Sequence, residues 1–237
     1  MMSLFDRFQG VFFSPQPTFK ALSEKPVWKD ALIILLIVMA VYSFIIAPYV
    51  SQDTLKAYKD NIKLQDRLGK ERYERMIKAM ENPSLSSLII RTVLYLPLTM
   101  IIGWLIAAVV LLVIGRMFST EGTFLLVFAA LLHANFVDKI FGSAVRLILV
   151  LMRKSVIQTT TSLALLMPHA DITSSSYAIL AQFDFFQLWM FGVLGYGLSS
   201  IFKISVKKGM IISYSFWAFK SLVFFGLSLL TKGFMGM

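Results

Sequence analysis

The chain contains no cysteine. That excludes disulfides, thiolate metal sites and cysteine nucleophiles. Charge is scarce as well: only 15% of residues are Asp, Glu, Lys or Arg, against about a quarter in an ordinary globular domain. The two histidines, His133 and His169, are too far apart in sequence to form the His-Glu-x-x-His pair of a zinc protease. There is no Gly-x-Ser-x-Gly nucleophile elbow and no phosphate-cradling Gly-x-x-x-x-Gly-Lys loop. Asp138 is the single acid deep within an apolar stretch, and Asp184 falls at the rim of one, so a two-carboxylate mechanism lacks its second partner. The expectation is a protein that is not an enzyme, with no cofactor and no metal.

Apolar length is what the chain has instead. Hydrophobic residues make up 57% and the mean hydropathy is +0.75. Residues 92–115, between Arg91 and Arg116, carry no charge, and at about 1.5 Å per residue they span a hydrocarbon core of roughly 30 Å. Further apolar segments cover residues 31–50, 124–152, 183–202 and 209–230. These features predict an all-α, polytopic membrane helix bundle with about five transmembrane helices, and the expectation is insertion through a retained first span with no cleavable leader. Residues 1–30 read as an N-terminal interfacial amphipathic segment and residues 31–237 as the transmembrane domain. Leu4, Phe5, Phe8, Val11 and Phe12 give residues 3–13 one apolar helical face, suited to the membrane interface or to capping the end of the bundle. Pro15 and Pro17 are expected to end that helix, and Thr18 to cap a second short one.

Residues 51–82 break the pattern with eight basic and six acidic side chains. Asp66/Lys70, Glu71/Arg75 and Glu74/Lys78 place acid before base at i,i+4, the favourable order on a helix. Gly69 is expected to divide the stretch and Pro83 to end it, which gives a charged helical arm in water. The net charge of +10 is assigned to anionic lipid headgroups beside the spans, not to nucleic acid. The expected partners are therefore the lipid bilayer, anionic lipids included, an unidentified protein, and a further copy of the chain in an oligomer. Orientation is set by two conflicting signals. With the arm counted, basic residues favour the side opposite the N-terminus; without it, Arg7, Lys20, Lys25, Lys29, Arg116, Lys203, Lys207 and Lys208 favour an N-terminus inside and a C-terminus outside, which is the expectation adopted.

The third span is unusually polar. Asn135, Asp138, Lys139, Gly142 and Arg146 fall within roughly a 100° arc of a helix, and His133 points the other way. Lys220 lies near the middle of the fifth span. Charges inside a membrane face protein or water, so Asn135, Asp138, Lys139, Arg146 and Lys220 form a candidate intramembrane binding face for a headgroup, an ion or a substrate. The alternative is an internal ion-pair network without a ligand. Asp138 and Lys220 lie at similar depths and are expected to pair, with Lys139 and Arg146 as rivals. In the fourth span, Gly192, Gly195 and Ser199 form a seam of small residues for close helix packing. The Ser/Thr-rich stretch after Lys154, with Thr159, Thr160, Thr161 and Ser162 and a stop at Pro168, reads as an interfacial or partly re-entrant connection.

The run from Ser14 through Pro15, Pro17, Phe19 and Pro26 to Trp28 resembles the bacterial branch of the Yip1 family. So do the turn Glu121-Gly122-Thr123-Phe124, the sequence Phe183-Asp184-Phe185-Phe186-Gln187-Leu188-Trp189, the Lys207-Lys208 turn and Trp217, in that order. The resemblance covers nearly the whole chain. It departs from the family where relatives often carry a proline near 134–137 and this chain has Asn135. It implies five membrane helices, a cytoplasmic N-terminus and residence as a multi-pass protein in the cytoplasmic (inner) membrane. Eukaryotic relatives are linked to Rab-type GTPases and vesicle traffic, and no residue here identifies such a surface. The reading is a non-enzymatic membrane scaffold or adaptor; the alternative is a small transporter or lipid-handling protein using the third-span polar face. A cavity touching Asn135 and Asp138 distinguishes the two.

Overall fold

The computed structural model describes residues 2–59, 65, 66, 68–81, 84–157, 161–166 and 174–235. Pro83, Thr159, Thr160, Pro168 and His169, all singled out above, lie outside the described residues. Helices α1 (Leu4–Phe13) and α2 (Pro15–Glu24) precede α3 (Lys29–Lys59) and α4 (Lys70–Glu81). Then follow α5 (Leu85–Arg116), α6 (Phe124–Arg153), the short α7 (Ser175–Leu180), α8 (Phe185–Phe202) and α9 (Val206–Met235). Five of these are long and apolar enough to cross a membrane: α3, α5, α6, α8 and α9. Among the described residues no strand forms, so the all-α reading holds.

The layering separates two central helices from three outer ones. In α6 and α8, 67% and 61% of the apolar window is buried inside the protein, against 11% in α3 and 17% in α9. In lipid there is little hydrophobic drive between helices, because acyl chains are as apolar as leucine; close packing and polar contacts hold the bundle. The seam in α8 makes that packing with α9. A Cβ on Gly209 would stand 2.3 Å from the Gly195 carbonyl oxygen, and one on Gly195 would stand 2.5 Å from the Met210 sulfur. Gly192 faces the Tyr214 hydroxyl in the same interface, and the Ser199 hydroxyl donates to the Ile204 carbonyl where the chain turns between the two helices. All three seam residues are therefore occupied within one chain.

Local chemistry explains most helix boundaries. Ser3 and Asp6 form a capping box at the start of α1, each closing on the other's backbone N–H. Asp184 caps α8 through the Phe186 and Gln187 N–H groups, and Lys154 and Lys203, with φ of 57° and 51°, turn the chain out of α6 and α8. The α2 boundary differs from expectation. It begins at Pro15, and Thr18 lies inside it, donating to the Ser14 carbonyl. Proline fits a first helical turn because the N–H it lacks has no partner there; Pro15 and Pro17 therefore start a helix.

The first span also differs, because α3 does not stop near residue 50. It passes through Pro48 and continues into the charged arm as far as Lys59. The chain returns as α4 after Gly69, whose φ of +75° suits glycine. The Lys59–Glu81 ion pair (2.7 Å) and the Tyr73 hydroxyl on the Tyr58 carbonyl join the two limbs into a hairpin. Of the expected arm pairs, Glu71 and Arg75 meet at 3.7 Å. The arm is anchored at its base by Asp53, which accepts from the Ser155 hydroxyl (2.9 Å) and from the N–H groups of Val156 and Ile157.

Helices α1 and α2 lie alongside the central pair. Phe8 packs against Phe136 in a tilted pair at 5.7 Å, and Phe12 meets Phe141 and Trp189 at 5.8 and 5.7 Å. Phe19 is buried, with Gly197 and Ala130 beside it. Phe141 lies about 25 Å along α6 from Phe124, at about 1.5 Å per residue, so these contacts run along the spans. Phe5 and Phe13 remain exposed.

Candidate functional site

Two polar clusters flank α6, one on each side. The first is built around His133, which is fully buried. Its Nδ1 lies 2.8 Å from the Ala129 carbonyl oxygen, and a carbonyl only accepts, so Nδ1 carries the hydrogen. Nε2 is then the acceptor, facing the Arg7 guanidinium at 2.9 Å. Arg7 itself is buried and forms a two-point ion pair with Asp30 at the start of α3; its Nε donates to the Ser3 carbonyl. One cation, one anion and one neutral imidazole satisfy each other. The sequence reading counted Arg7 only among the charges that set orientation and missed this cluster.

The second cluster grows from a local change in α6. Residues Phe136–Gly142 widen into a π-helix, a rare form frequent at functional sites. At its entrance the Asn135 amide donates to the Leu131 carbonyl at 2.8 Å. Asn135 thus stands, with a side-chain hydrogen bond to the helix, in the region where relatives often carry proline. Asp138 is buried and holds Lys139 at 2.8 Å and Arg146 at 2.7 Å. Arg146 continues the chain of contacts to Asp184 at 2.8 Å and to the Thr161 hydroxyl at 3.0 Å, and its guanidinium lies over the Phe186 ring. Asp184 also accepts the Thr161 hydroxyl. One arginine therefore ties α6 to the N-terminus of α8 and to the 161–166 connection.

Lys220 completes the face without joining the ion pairs. The expected Asp138–Lys220 pair does not form. Lys220 instead donates to the Gln187 side chain and sits over the Phe191 ring at 5.4 Å. Two rivals adjacent on its own helix already neutralise Asp138, and α8 packs against both α6 and α9. Similar depth is thus not enough for contact. Among the described residues Lys220 has no carboxylate within 4 Å. An unneutralised charge near the membrane centre costs roughly 2.5–3.5 kcal/mol on insertion scales; Gln187 and Phe191 offset part of it.

These side chains share a cavity of about 710 Å³ bounded by α5, α6, α8 and α9, within the roughly 300–1,000 Å³ range of small-molecule pockets. Its polar lining residues are Asn135, Asp138, Lys139, Gln182, Gln187 and Lys220. The remainder is apolar, including Gly103, Trp104, Ala107, Val110, Leu131 and Phe216. Of the candidate face, Asn135, Asp138, Lys139 and Lys220 line this cavity and Arg146 stands behind Asp138. Asp184, Thr161, Gln182 and Gln187 were not part of the expected face. The readable signal for Asp184 was its position as the acid directly before an apolar helix. No three His, Asp or Glu side chains come together to hold a metal ion among the described residues.

The five apolar helices make this a multi-pass membrane protein, with charged side chains on a partly open cavity among four of them. The Yip1 domain profile matches residues 10–228, and the chain belongs to the Yip1 family. Neither the curated proteins nor the solved structures provide a match.

Proposed function

We propose that this Yip1-family protein is a non-enzymatic, lipid-handling protein of the cytoplasmic membrane that holds a membrane amphiphile in the cavity between α5, α6, α8 and α9. The observation that carries this reading is the cavity's division into a polar lining at Asn135, Asp138, Lys139 and Lys220 and an apolar remainder. That division matches an amphiphile and fits a small water-soluble substrate poorly. Gly103 lies on the cavity wall with open space where its Cβ would be, so a bulky residue there fills the cavity without touching the polar cluster. Native mass spectrometry of protein released from membranes is expected to show retained lipid on the wild type and loss of it on Gly103→Trp. Equal retention by both would remove the reading.

The scaffold or adaptor role is the second reading, supported by the arm: no residue of α4 is buried, which leaves a charged helical surface for a protein partner. Pull-down from native membranes with and without residues 51–82 tests it. A partner captured only by the full chain would support an adaptor.

A further inference from the structure

The polar lining of the cavity has an unequal charge balance. Among the described residues, Lys139, Arg146 and Lys220 face two carboxylates, Asp138 and Asp184. Arg146 is shared between both acids and Lys139 is held by Asp138. Lys220 alone is left with a neutral partner, the Gln187 amide, and an aromatic face. Its ammonium has three donors and no acceptor function, and it borders open volume.

Position along the helices adds direction. Gln187 follows Asp184 by one helical turn, at the N-terminal end of α8, and Gln182 lies just before it. Leu131 and Val110 lie towards the opposite ends of α6 and α5, near Phe124 and Arg116. Gln182 and Gln187 therefore lie nearest the membrane face that carries the 161–166 connection, while apolar lining lies both deeper, at Leu131 and Val110, and beside Lys220 on that same side, at Val223 and Phe224. A phospholipid in the leaflet on that side places its headgroup at the level of the glutamines and Lys220 and its chains along the apolar lining.

We propose that the cavity selects an anionic phospholipid, and that the Lys220 ammonium is the group that reads its phosphate, with Gln187, Gln182 and Lys139 around it. This deepens the amphiphile reading above and rests on it. A zwitterionic lipid brings its own cation into a site that already has one in excess; a headgroup with net negative charge completes the balance. Arg146 is a positioning residue, because its contacts are to Asp138, Asp184 and Thr161.

The test is native mass spectrometry of the full chain titrated with dioleoylphosphatidylglycerol or dioleoylphosphatidylcholine in detergent. Wild type is expected to bind phosphatidylglycerol about tenfold more tightly, as a single charge-assisted hydrogen bond provides. Lys220→Gln should equalise the two lipids while still binding both, and Lys220→Arg should keep the preference. A Lys207→Gln/Lys208→Gln variant, altered only at the exposed first turn of α9, should behave as wild type. If that variant loses the preference instead, the selectivity belongs to the basic surface and the proposal fails. It fails equally if wild type binds both lipids alike, if Lys220→Gln keeps the preference, or if millimolar inorganic phosphate displaces the lipid, which would make the ligand a free anion. Equal binding of both lipids by wild type, with loss of both in Gly103→Trp, would overturn the headgroup selection and leave the amphiphile reading standing; binding unaffected by Gly103→Trp would remove both.

Discussion

The His133 cluster and the Asp138 cluster sit on the same helix and differ in closure. Around His133, Arg7 and Asp30 pair with each other, the imidazole supplies an acceptor, and α1 covers the group. Around Asp138, the acids are outnumbered by cations among the described residues and one side is open to a cavity. A polar group buried in a membrane protein is thus not by itself a binding site. Complete pairing marks a structural joint, here between the N-terminal helices, α3 and α6. Incomplete pairing beside open volume marks a place where a ligand can finish the balance.

The largest effect is expected where the open cluster is broken. Asp138→Ala removes the anion that holds both Lys139 and Arg146; Arg146 keeps Asp184, while Lys139, 31% exposed, is left unpaired beside the cavity, which costs about 3 kcal/mol. Thermal melting in detergent should show a large drop, partly recovered by adding Lys139→Met. A loss below about 1 kcal/mol would mean that water already solvates the cluster. Gly209→Ala comes next, at about 1–3 kcal/mol for overpacking, because the backbone carbonyl of Gly195 cannot yield. It forces α9 from α8 and so moves Lys220 relative to Gln187, while the His133 cluster is untouched. Hydrogen exchange should therefore rise in α8 and α9 but not in α1; an equal rise in α1 would show that the two clusters are coupled.

The closed cluster is expected to give less when cut from its exposed side. The Asp30 side chain is 38% exposed and that of Arg7 only 5%, so Asp30→Asn leaves a buried guanidinium that keeps its His133 and Ser3 contacts. A cost of about 1–2 kcal/mol follows once solvent screening is allowed for, read as a lower melting temperature. No change would place Asp30 outside the joint. The smallest effect concerns Asp6, whose carboxyl is held below its usual 3.8 by hydrogen bonds from the Ser3 hydroxyl and backbone. A depressed carboxyl stabilises the fold above the unfolded value and loses that contribution as pH falls through the folded one. Asp6→Asn should therefore flatten the acid limb below about pH 4 and leave stability at pH 7 with no pH slope from this site; an altered slope between pH 6 and 8 would contradict the assignment.

The five spans were legible because hydropathy over twenty residues integrates a strong signal, and the Asn135 to Arg146 arc was legible because helical period fixes which residues share a face. Partners across the bundle were not. Arg7 is polar on a surface-like amphipathic helix, and nothing within α1 reveals that its guanidinium meets His133 and Asp30. The Asp138–Lys220 expectation used depth alone, which fixes the level of a residue but not its direction around the helix. Lys139 and Arg146 compete from the same helix with no chain to bring together. Pro15 follows the end of α1 as expected but also starts α2, so Thr18 lies inside that helix, and Pro48 lies within α3, since a proline's cost depends on which backbone N–H the helix needs.

The contrast between a closed joint and an unfinished site is tested most directly by the melting temperature of wild type, Asp30→Asn and Lys220→Gln in detergent, each with phosphatidylglycerol and with phosphatidylcholine. The account predicts that phosphatidylglycerol raises the melting temperature of wild type and Asp30→Asn by the same increment, and that Lys220→Gln responds alike to both lipids. A full phosphatidylglycerol increment in Lys220→Gln, or its loss in Asp30→Asn, would contradict it.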